Sequence, residues 1–152
     1  MIQKIPDIIL DKIDAMYGQP TCYYKVHHDK SLHLGFGEIK KENRHGEWEI
    51  GTYYSSWRIS HKNKLICGSD TPIDSIKELQ QCLETIVWGE IVSINHLSEF
   101  DLRIVLKNEI FIDFLCTIND DEAYHIFFPK NEVAVFLSND GWKMGSSDKP
   151  WV

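Results

Sequence analysis

The sequence predicts an α+β domain in which two helices pack on one face of a mainly antiparallel, strongly twisted sheet or pair of sheets. The stretch GEWEIGTYYSSWRI, residues 46–59, alternates apolar with polar side chains, which is the period of a half-buried strand. Further apolar segments alternate in the same way, whereas two segments repeat their apolar residues at helical spacing. Because alternating strands need one covered face, we expect the two helices to cover it.

Length and charge limit the classes of protein to be considered. At 152 residues the chain is about one domain long, so residues 1–152 are expected to form a single domain. The net charge of −7 argues against nucleic acid as a direct ligand, because phosphate contacts need clustered Lys and Arg. No apolar run approaches the roughly 18 residues of a membrane span, and polar residues interrupt the N-terminus too early for a signal peptide. A cytoplasmic protein without membrane contact is therefore expected.

Cysteine spacing gives no sign of a metal or redox site. The four cysteines, Cys22, Cys67, Cys82 and Cys116, lie far apart in apolar surroundings. None belongs to a CxxC pair, so neither a zinc site nor a redox motif is indicated. We expect reduced thiols in the core.

The first half of the chain reads as a helix followed by strands. Residues 2–17 carry one apolar stripe at helical spacing, formed by Ile2, Ile5, Ile9, Ile13 and Met16. Pro6 places the start of the regular helix near itself, and Gly18 and Pro20 end it. Residues 21–26 and 31–36 alternate as strands, and the charged residues 39–45 are expected to be a loop. The Trp-rich stretch is expected to form two strands, or one long bent strand, at the centre of a sheet, followed by a turn and a short strand at residues 65–67.

The second helix has a strong start signal in the sequence. Thr71 can act as N-cap and Pro72 as the first helical residue, with Asp74 three positions after the cap. The buried stripe then comprises Ile73, Ile76, Leu79, Leu83 and Ile86 or Val87. Strands are expected at residues 90–94, 100–106, 110–116, 122–128 and 133–137, followed by an irregular polar tail in which Trp142 packs against the body.

The hairpin around Lys107 and Asn108 permits a register prediction. A two-residue loop would pair Leu102 with Asp113 and place half of the apolar side chains in water. A three-residue loop, residues 107–109, instead pairs Leu106 with Ile110 and Leu102 with Phe114, and it sets Arg103 opposite Asp113. We therefore predict the three-residue loop.

The two halves of the chain have a similar plan, which suggests a pseudo-repeat of an α+β unit. Each half runs from a helix to a Leu-rich strand and then to strands that contain an aromatic-basic-Ile triplet. These triplets are Trp57-Arg58-Ile59 and Tyr124-His125-Ile126.

Recognisable catalytic and metal-binding motifs are absent from the sequence. The sequence has no phosphate-binding glycine loop, no zinc-peptidase motif and no nucleophile elbow. His27, His28 and His33 could bring two imidazoles together across a hairpin, but no acidic residue completes a set at metal-ligand spacing. We therefore predict no catalytic residue, no metal site, no cofactor and no enzymatic activity.

Acidic and aromatic side chains together mark the candidate binding surface. Glu47, Glu49 and Tyr53 fall on one face of the predicted strand, and Glu38 and Glu42 flank the loop before it. Such a surface suits a basic protein partner. The alternative is that Arg58 and nearby lysines neutralise these charges within the sheet.

The segments GEWEIGTYYSSWRI, LICGSDTP and FDLRIVLKNEIFIDF resemble a group of small bacterial α+β proteins, the immunity proteins of polymorphic or contact-dependent growth-inhibition toxin systems. The resemblance covers roughly residues 30–130 and rests on structural motifs, namely a GTY turn, a WRI strand and a CGS approach to a helix. It implies a cytoplasmic protein that binds and neutralises a cognate toxin C-terminal domain, without chemistry of its own. It carries over no functional residue.

A second hypothesis belongs to a different class. The polar groups could gather in a pocket near His61, Cys67, Asp70 and His125, which would indicate a small-molecule-binding or enzymatic domain. A flat acidic face with exposed aromatic residues would instead favour the immunity hypothesis.

Overall fold

Two antiparallel sheets and two helices make up the described part of the chain, residues 4–42, 44–53, 55–72, 75–119 and 121–147 of a computed structural model. Helix α1 is Asp7–Asp14 and helix α2 is Ile76–Glu84. The strands are β1 Thr21–Val26, β2 Leu32–Ile39, β3 Gly46–Thr52, β4 Ser55–His61, β5 Lys64–Gly68, β6 Ile91–His96, β7 Leu102–Leu106, β8 Ile110–Cys116, β9 Glu122–Phe128, β10 Glu132–Leu137 and β11 Gly141–Ser146. The predicted α+β, mainly antiparallel fold is confirmed.

The two sheets share one hydrophobic core. The larger sheet has the strand order β1-β2-β3-β9-β10-β11, and the smaller sheet has the order β5-β4-β8-β7-β6. Leu34, Ile50 and Ile126 of the larger sheet and Trp57 and Ile112 of the smaller sheet belong to the same buried cluster. The residues directly before and after them on each strand lie on the two outer faces, because side chains alternate along a strand.

Each helix is tied to both sheets. Helix α2 contacts β1 and β5, an edge strand of each sheet, and Gln80 bonds to the backbone of Tyr24 and Val26. On α1, Lys12 reaches Glu132 of β10 at 2.8 Å, and the turn after α1 exchanges backbone hydrogen bonds with Ile91 of β6. The helices thus cover sheet edges as well as core, and Gln80 satisfies backbone groups that an edge strand would leave exposed.

The helix boundaries agree with the sequence for α1 and differ for α2. Pro6 is the residue before α1, and the apolar stripe from Ile5 to Met16 is buried, whereas Ile2 lies outside the described residues. Helix α2 begins at Ile76 because Ser75 caps it, its Oγ accepting a hydrogen bond from the Glu78 amide at 3.2 Å. The predicted cap at Thr71 was wrong, since its hydroxyl accepts a bond from the Gly68 amide instead. Ile73 and Asp74 lie outside the described residues.

The Trp-rich stretch forms two strands that belong to different sheets. Strand β3 lies between β2 and β9, and β4 lies between β5 and β8, so both are central, as predicted. The chain crosses from one sheet to the other after Thr52, and Tyr54 is outside the described residues. Trp57 is 2% exposed, and its indole Nε1 donates to the Lys30 carbonyl at 2.7 Å. Two adjacent segments of sequence thereby fix both sheets to one core.

The predicted register of the β7–β8 hairpin is confirmed. The turn is Lys107–Glu109, and Leu106 pairs with Ile110 and Leu102 with Phe114. On the outer face, the Asp113 carboxylate accepts hydrogen bonds from Arg103 at 2.7 Å and from Arg58 of β4 at 2.9 Å. These three residues form an ion cluster that joins the central strands of the smaller sheet.

The C-terminal segment forms a strand, so the prediction of an irregular tail was wrong. Strand β11 pairs with β10 from Gly141 opposite Leu137 to Ser146 opposite Glu132. Gly141 has φ of +75°, which suits the tight turn between the two strands. The polar composition hid this edge strand, whose outer side needs few apolar residues. Trp142 packs against Tyr124 and Phe136, as expected from the sequence.

The topology follows a twofold plan that matches the suggested pseudo-repeat. Each of the strands β1–β5 corresponds to the strand five places later, from β6 to β10. Exchanging the members of each pair converts the order β1-β2-β3-β9-β10 of the larger sheet into β6-β7-β8-β4-β5, which is the order of the smaller sheet in reverse. Strand β11 is additional. The pairing of β3 with β9 then corresponds to that of β8 with β4, and the triplets Trp57-Arg58-Ile59 and Tyr124-His125-Ile126 occupy corresponding strands.

Replacing Trp57 with Ala should lower the free energy of unfolding by about 3–5 kcal/mol, because it removes a buried indole and leaves a cavity. Urea unfolding of both proteins measures the change. Leu65→Ala is the control, since Leu65 is 67% exposed and the substitution should cost less than about 0.5 kcal/mol. Equal effects of the two substitutions would contradict the placement of Trp57 in the core.

The Asp113 ion cluster should make stability sensitive to acid. Burial alone would raise the pKa of Asp113, but the hydrogen bonds from Arg103 and Arg58 outweigh it and hold the pKa below its ordinary value. The cluster therefore stabilises the fold above the unfolded-state pKa of about 3.9, and this contribution disappears as the pH falls through the lower folded-state pKa.

Asp113→Asn should cost about 1.5–3 kcal/mol at pH 7 and should flatten the loss of stability below about pH 4. Urea unfolding at pH 7, 4 and 3 measures both effects. Asp140→Asn is the control, because Asp140 is exposed and its ion pair with Lys143 spans 3.7 Å. Parallel pH profiles for the Asp113 variant and the wild type would contradict the account.

Candidate functional site

Polar side chains converge on the outer face of the larger sheet, at its centre. His33 of β2, Glu49 of β3 and His125 of β9 alternate with core residues on three adjacent strands. Together with His27, Glu122 and Tyr53 they form a group that we call the histidine cluster. His125 is fully buried although it lies on the face opposite the core.

The rings of the histidine cluster are in direct contact. The ring centroids of His27 and His33 are 4.5 Å apart, and those of His33 and His125 are 5.6 Å apart. Tyr53 lies over His125 with a centroid distance of 4.9 Å, yet it remains 45% exposed. Tyr53 is therefore an aromatic side chain that faces solvent while resting on a packed base.

Gly51 permits this packing. In the sheet register it lies opposite both His33 and His125. A Cβ atom added at Gly51 would lie 2.8 Å from His33 Cδ2 and 2.9 Å from His125 Nε2, closer than real Cβ contacts. The two imidazoles thus meet over bare backbone.

Carboxylates fix the tautomers of two of these histidines. His125 Nδ1 lies 3.0 Å from Glu122 Oε1, and His33 Nδ1 lies 3.2 Å from Glu49 Oε1. A carboxylate oxygen only accepts, so each of these Nδ1 atoms carries a proton. The Nε2 atoms of His27, His33 and His125 are buried without a hydrogen-bond partner among the described residues. The cluster therefore holds buried polar nitrogens that the described residues leave without a partner.

Glu49 is the buried charge of this site. Burial alone would raise the pKa of Glu49, but the hydrogen bond from His33 and the nearby His45, His33 and His125 outweigh it and lower the pKa. Its second oxygen lies 3.3 Å from His45 Nδ1. Glu49 is thus an ionised, oriented carboxylate at neutral pH.

A cleft of about 360 Å³ opens beside the histidine cluster. Its walls include His33, Lys40, His45, Glu49, Tyr53 and Phe127. The cleft brings a buried carboxylate, two imidazoles and two aromatic rings to one opening in the sheet surface. This combination can receive a hydrogen-bond donor with an apolar or planar body.

The predicted binding residues divide into two groups. Glu38 and Glu42 are exposed, and Glu47 is half-buried with a carboxylate that accepts a bond from the Glu38 amide at 2.8 Å. Glu49 is only 8% exposed, so it is part of the cleft and not a free surface charge. The alternative in which Arg58 and nearby lysines neutralise this face was wrong for Arg58, which lies in the smaller sheet and bonds Asp113. Lys40, however, lines the same cleft as Glu49. Histidines surround Glu49.

The residues of the pocket hypothesis are only partly brought together. Cys67 and Asp70 line one cleft of about 420 Å³ beside Trp57. His61 lies at the end of β4 opposite Lys64, and His125 belongs to the other sheet. Burial, with a smaller effect of Cys82, raises the pKa of Cys67 to about 12, so its thiol is protonated at neutral pH and is a weak nucleophile. All four cysteines are free thiols.

The sequence pattern places His27 and His33 across a hairpin but gives no sign that His125 joins them. The alternation of β3 placed Glu49 and Tyr53 on one face, and the pseudo-repeat indicated that His125 corresponds to Arg58. The missing link was the pairing of β3 with β9, two strands separated by some seventy residues. Within the described ranges, no group of three or more His, Cys, Asp or Glu side chains is arranged to hold a metal ion.

Two further observations concern the class of protein. None of the helices in the described residues is long and apolar enough to cross a membrane. Comparison with models of protein families, with curated proteins and with solved structures found no match for the chain. Functional inference therefore rests on the residues and their geometry, together with the resemblance noted above.

Gly51→Ala should cost about 1–3 kcal/mol of stability, because the new methyl group overpacks the histidine cluster. Urea unfolding measures this cost in the wild type and in a His33→Ala background, where one of the two clashing rings is absent. The cost should fall by about 0.5 kcal/mol or more in that background. A neutral Gly51→Ala substitution in the wild type would contradict the packing described.

Proposed function

We propose that this protein is an immunity protein that binds and neutralises a cognate toxin domain in the bacterial cytoplasm, without catalysis. The resemblance to immunity proteins motivates the proposal. The observation that carries it is the exposed Tyr53, which rests on the packed histidine cluster at the centre of a sheet face. An aromatic side chain held on a rigid base loses little conformational freedom on binding, which is the property of an interface hot spot.

The charge of the chain suits a basic partner. The net charge is −7, and the exposed residues Glu38 and Glu42 lie two positions before and after Lys40, which lines the cleft that Tyr53 borders. Toxin domains that cleave nucleic acid are basic around their active site, because they must hold phosphates. An acidic inhibitor then gains both faster association and complementarity, and a nuclease domain is the partner we favour.

The first test is co-expression with the C-terminal toxin domain encoded immediately upstream. Cells that make both proteins should survive, and the two chains should elute as one complex in size-exclusion chromatography. Tyr53→Ala should weaken that complex by a factor of roughly ten or more, since truncation of a central aromatic anchor typically costs about 2 kcal/mol or more. Equal cell death with and without the protein, and no complex, would overturn the proposal.

Charge reversal tests the acidic surface separately. Glu47 and Glu49 are unsuitable, because one bonds a backbone amide and the other is buried. Glu38→Lys combined with Glu42→Lys should lower the association rate about tenfold at low salt while leaving the fold intact. The matched control is Asp11→Lys with Glu84→Lys on the helices, where both acids are exposed and the change in net charge is the same. Equal slowing by both pairs would mean that only net charge matters.

A further inference from the structure

We infer that the cleft over Glu49 is a receptor for one arginine side chain of the partner protein. The inference rests on the proposed function, since it names the chemical group through which the partner docks. It concerns a defined set of residues: Glu49, His33, His45, Tyr53 and Phe127, with Lys40 at the same opening.

The floor of the cleft needs hydrogen-bond donors. Glu49 keeps lone pairs on both oxygens beyond those directed at His33 and His45. The Nε2 atoms of His33 and His125 are themselves buried and have no hydrogen-bond partner among the described residues. Of these two residues, His33 lines the cleft. His125 Nε2 would lie 2.9 Å from a Cβ atom added at Gly51, whose strand β3 lies between the strands of His33 and His125. A guest that supplies donors to the remaining lone pairs of Glu49 gains charge-assisted hydrogen bonds.

An arginine guanidinium matches this arrangement better than other guests do. It has five donors and no acceptor, and its planar fork fits a carboxylate. Its flat faces stack on aromatic rings, which Tyr53 and Phe127 supply at the cleft walls. Glu49 would repel an anionic guest, and an apolar guest would leave the acceptors unsatisfied. A lysine ammonium carries the charge but lacks the planar fork.

A guest that binds Glu49 in this way is a cation, so the direction in which Lys40 changes its affinity can be predicted. Lys40 lines the same cleft, so its charge opposes that of the incoming guanidinium. Removing the Lys40 charge should strengthen binding, whereas removing the Glu49 charge should weaken it. A general loss of structure cannot produce opposite effects at two neighbouring positions.

The probe is N-acetyl-arginine amide, titrated into the full-length protein and followed by NMR of the histidine and Tyr53 ring signals. Saturable shifts should appear with a dissociation constant of about 1–10 mM, the strength expected of a single side chain. The uncharged isostere N-acetyl-citrulline amide should give no saturable shift, and N-acetyl-lysine amide should bind several-fold more weakly than the arginine probe.

Variants locate the binding in the cleft. Glu49→Gln should reduce the affinity at least tenfold, whereas Lys40→Gln should raise it about twofold to fivefold. Tyr53→Ser removes an exposed aromatic wall and should weaken binding severalfold without threatening the fold. Thermal unfolding of each variant checks folding, so Tyr53→Ser and Lys40→Gln keep the test valid if Glu49→Gln is unstable.

Several results would overturn the inference. These are equal binding of the arginine and citrulline probes, unchanged affinity in Glu49→Gln, weaker binding in Lys40→Gln, or shifts that vanish with EDTA and return with Zn²⁺, which would indicate a metal instead.

The toxin complex separates this failure from that of the proposed function. A complex that Tyr53→Ala weakens and Glu49→Gln leaves unchanged removes the arginine receptor but keeps the immunity role. Specific arginine binding without any toxin complex removes the immunity role alone.

Discussion

The structure depends on the chain crossing twice between the two sheets. The first crossing follows Thr52 of β3, and the second follows Cys116 of β8. Because each half of the chain supplies strands to both sheets, the central pairs β3–β9 and β4–β8 each join the two halves. The crossings are also linked to each other, since Ser55 Oγ donates to the Ala123 carbonyl at 2.9 Å. Trp57 and Tyr124, both deeply buried, follow the two crossings and anchor the strands that receive them.

Because the two sheets have the same strand arrangement, each position on the outer face of one sheet has an equivalent on the other. The residues at these equivalent positions differ in chemistry. On the smaller sheet, Arg103, Asp113 and Arg58 lie side by side on β7, β8 and β4, and both arginines donate to the Asp113 carboxylate. On the larger sheet the corresponding residues are His33, Gly51 and His125 on β2, β3 and β9. The charged groups of the first set are paired within the set, because the central carboxylate accepts hydrogen bonds from both cations. In the second set a glycine replaces the carboxylate, and the Nε2 atom of each imidazole is buried without a partner among the described residues. We therefore propose the outer face of the larger sheet, which carries the cleft beside Glu49, as the binding face.

Most of the fold could be predicted from local pattern. Alternation identified the central strands, and the register of the β7–β8 hairpin followed from keeping Leu102 and Phe114 on one face. The start of α2 was missed because Thr71 and Ser75 are both plausible caps, and Ser75 has the better capping partner in Glu78. Strand β11 was missed because an edge strand can be polar. The site was predicted only in part, since Glu49 and Tyr53 were placed on one face but the burial of Glu49 depends on His33, His45 and His125 from other segments.

The central claim is that the outer face of the larger sheet binds the partner, and hydroxyl-radical footprinting of the complex with the toxin domain tests it most directly. The smaller sheet provides an internal comparison, because Phe111 lies on its outer side, where its ring packs under Arg103 at 4.6 Å. The account predicts that complex formation protects Tyr53 and Phe127 from oxidation and leaves Phe111 and Leu65 unchanged. Protection of Phe111 and Leu65 with continued oxidation of Tyr53 and Phe127 would contradict it.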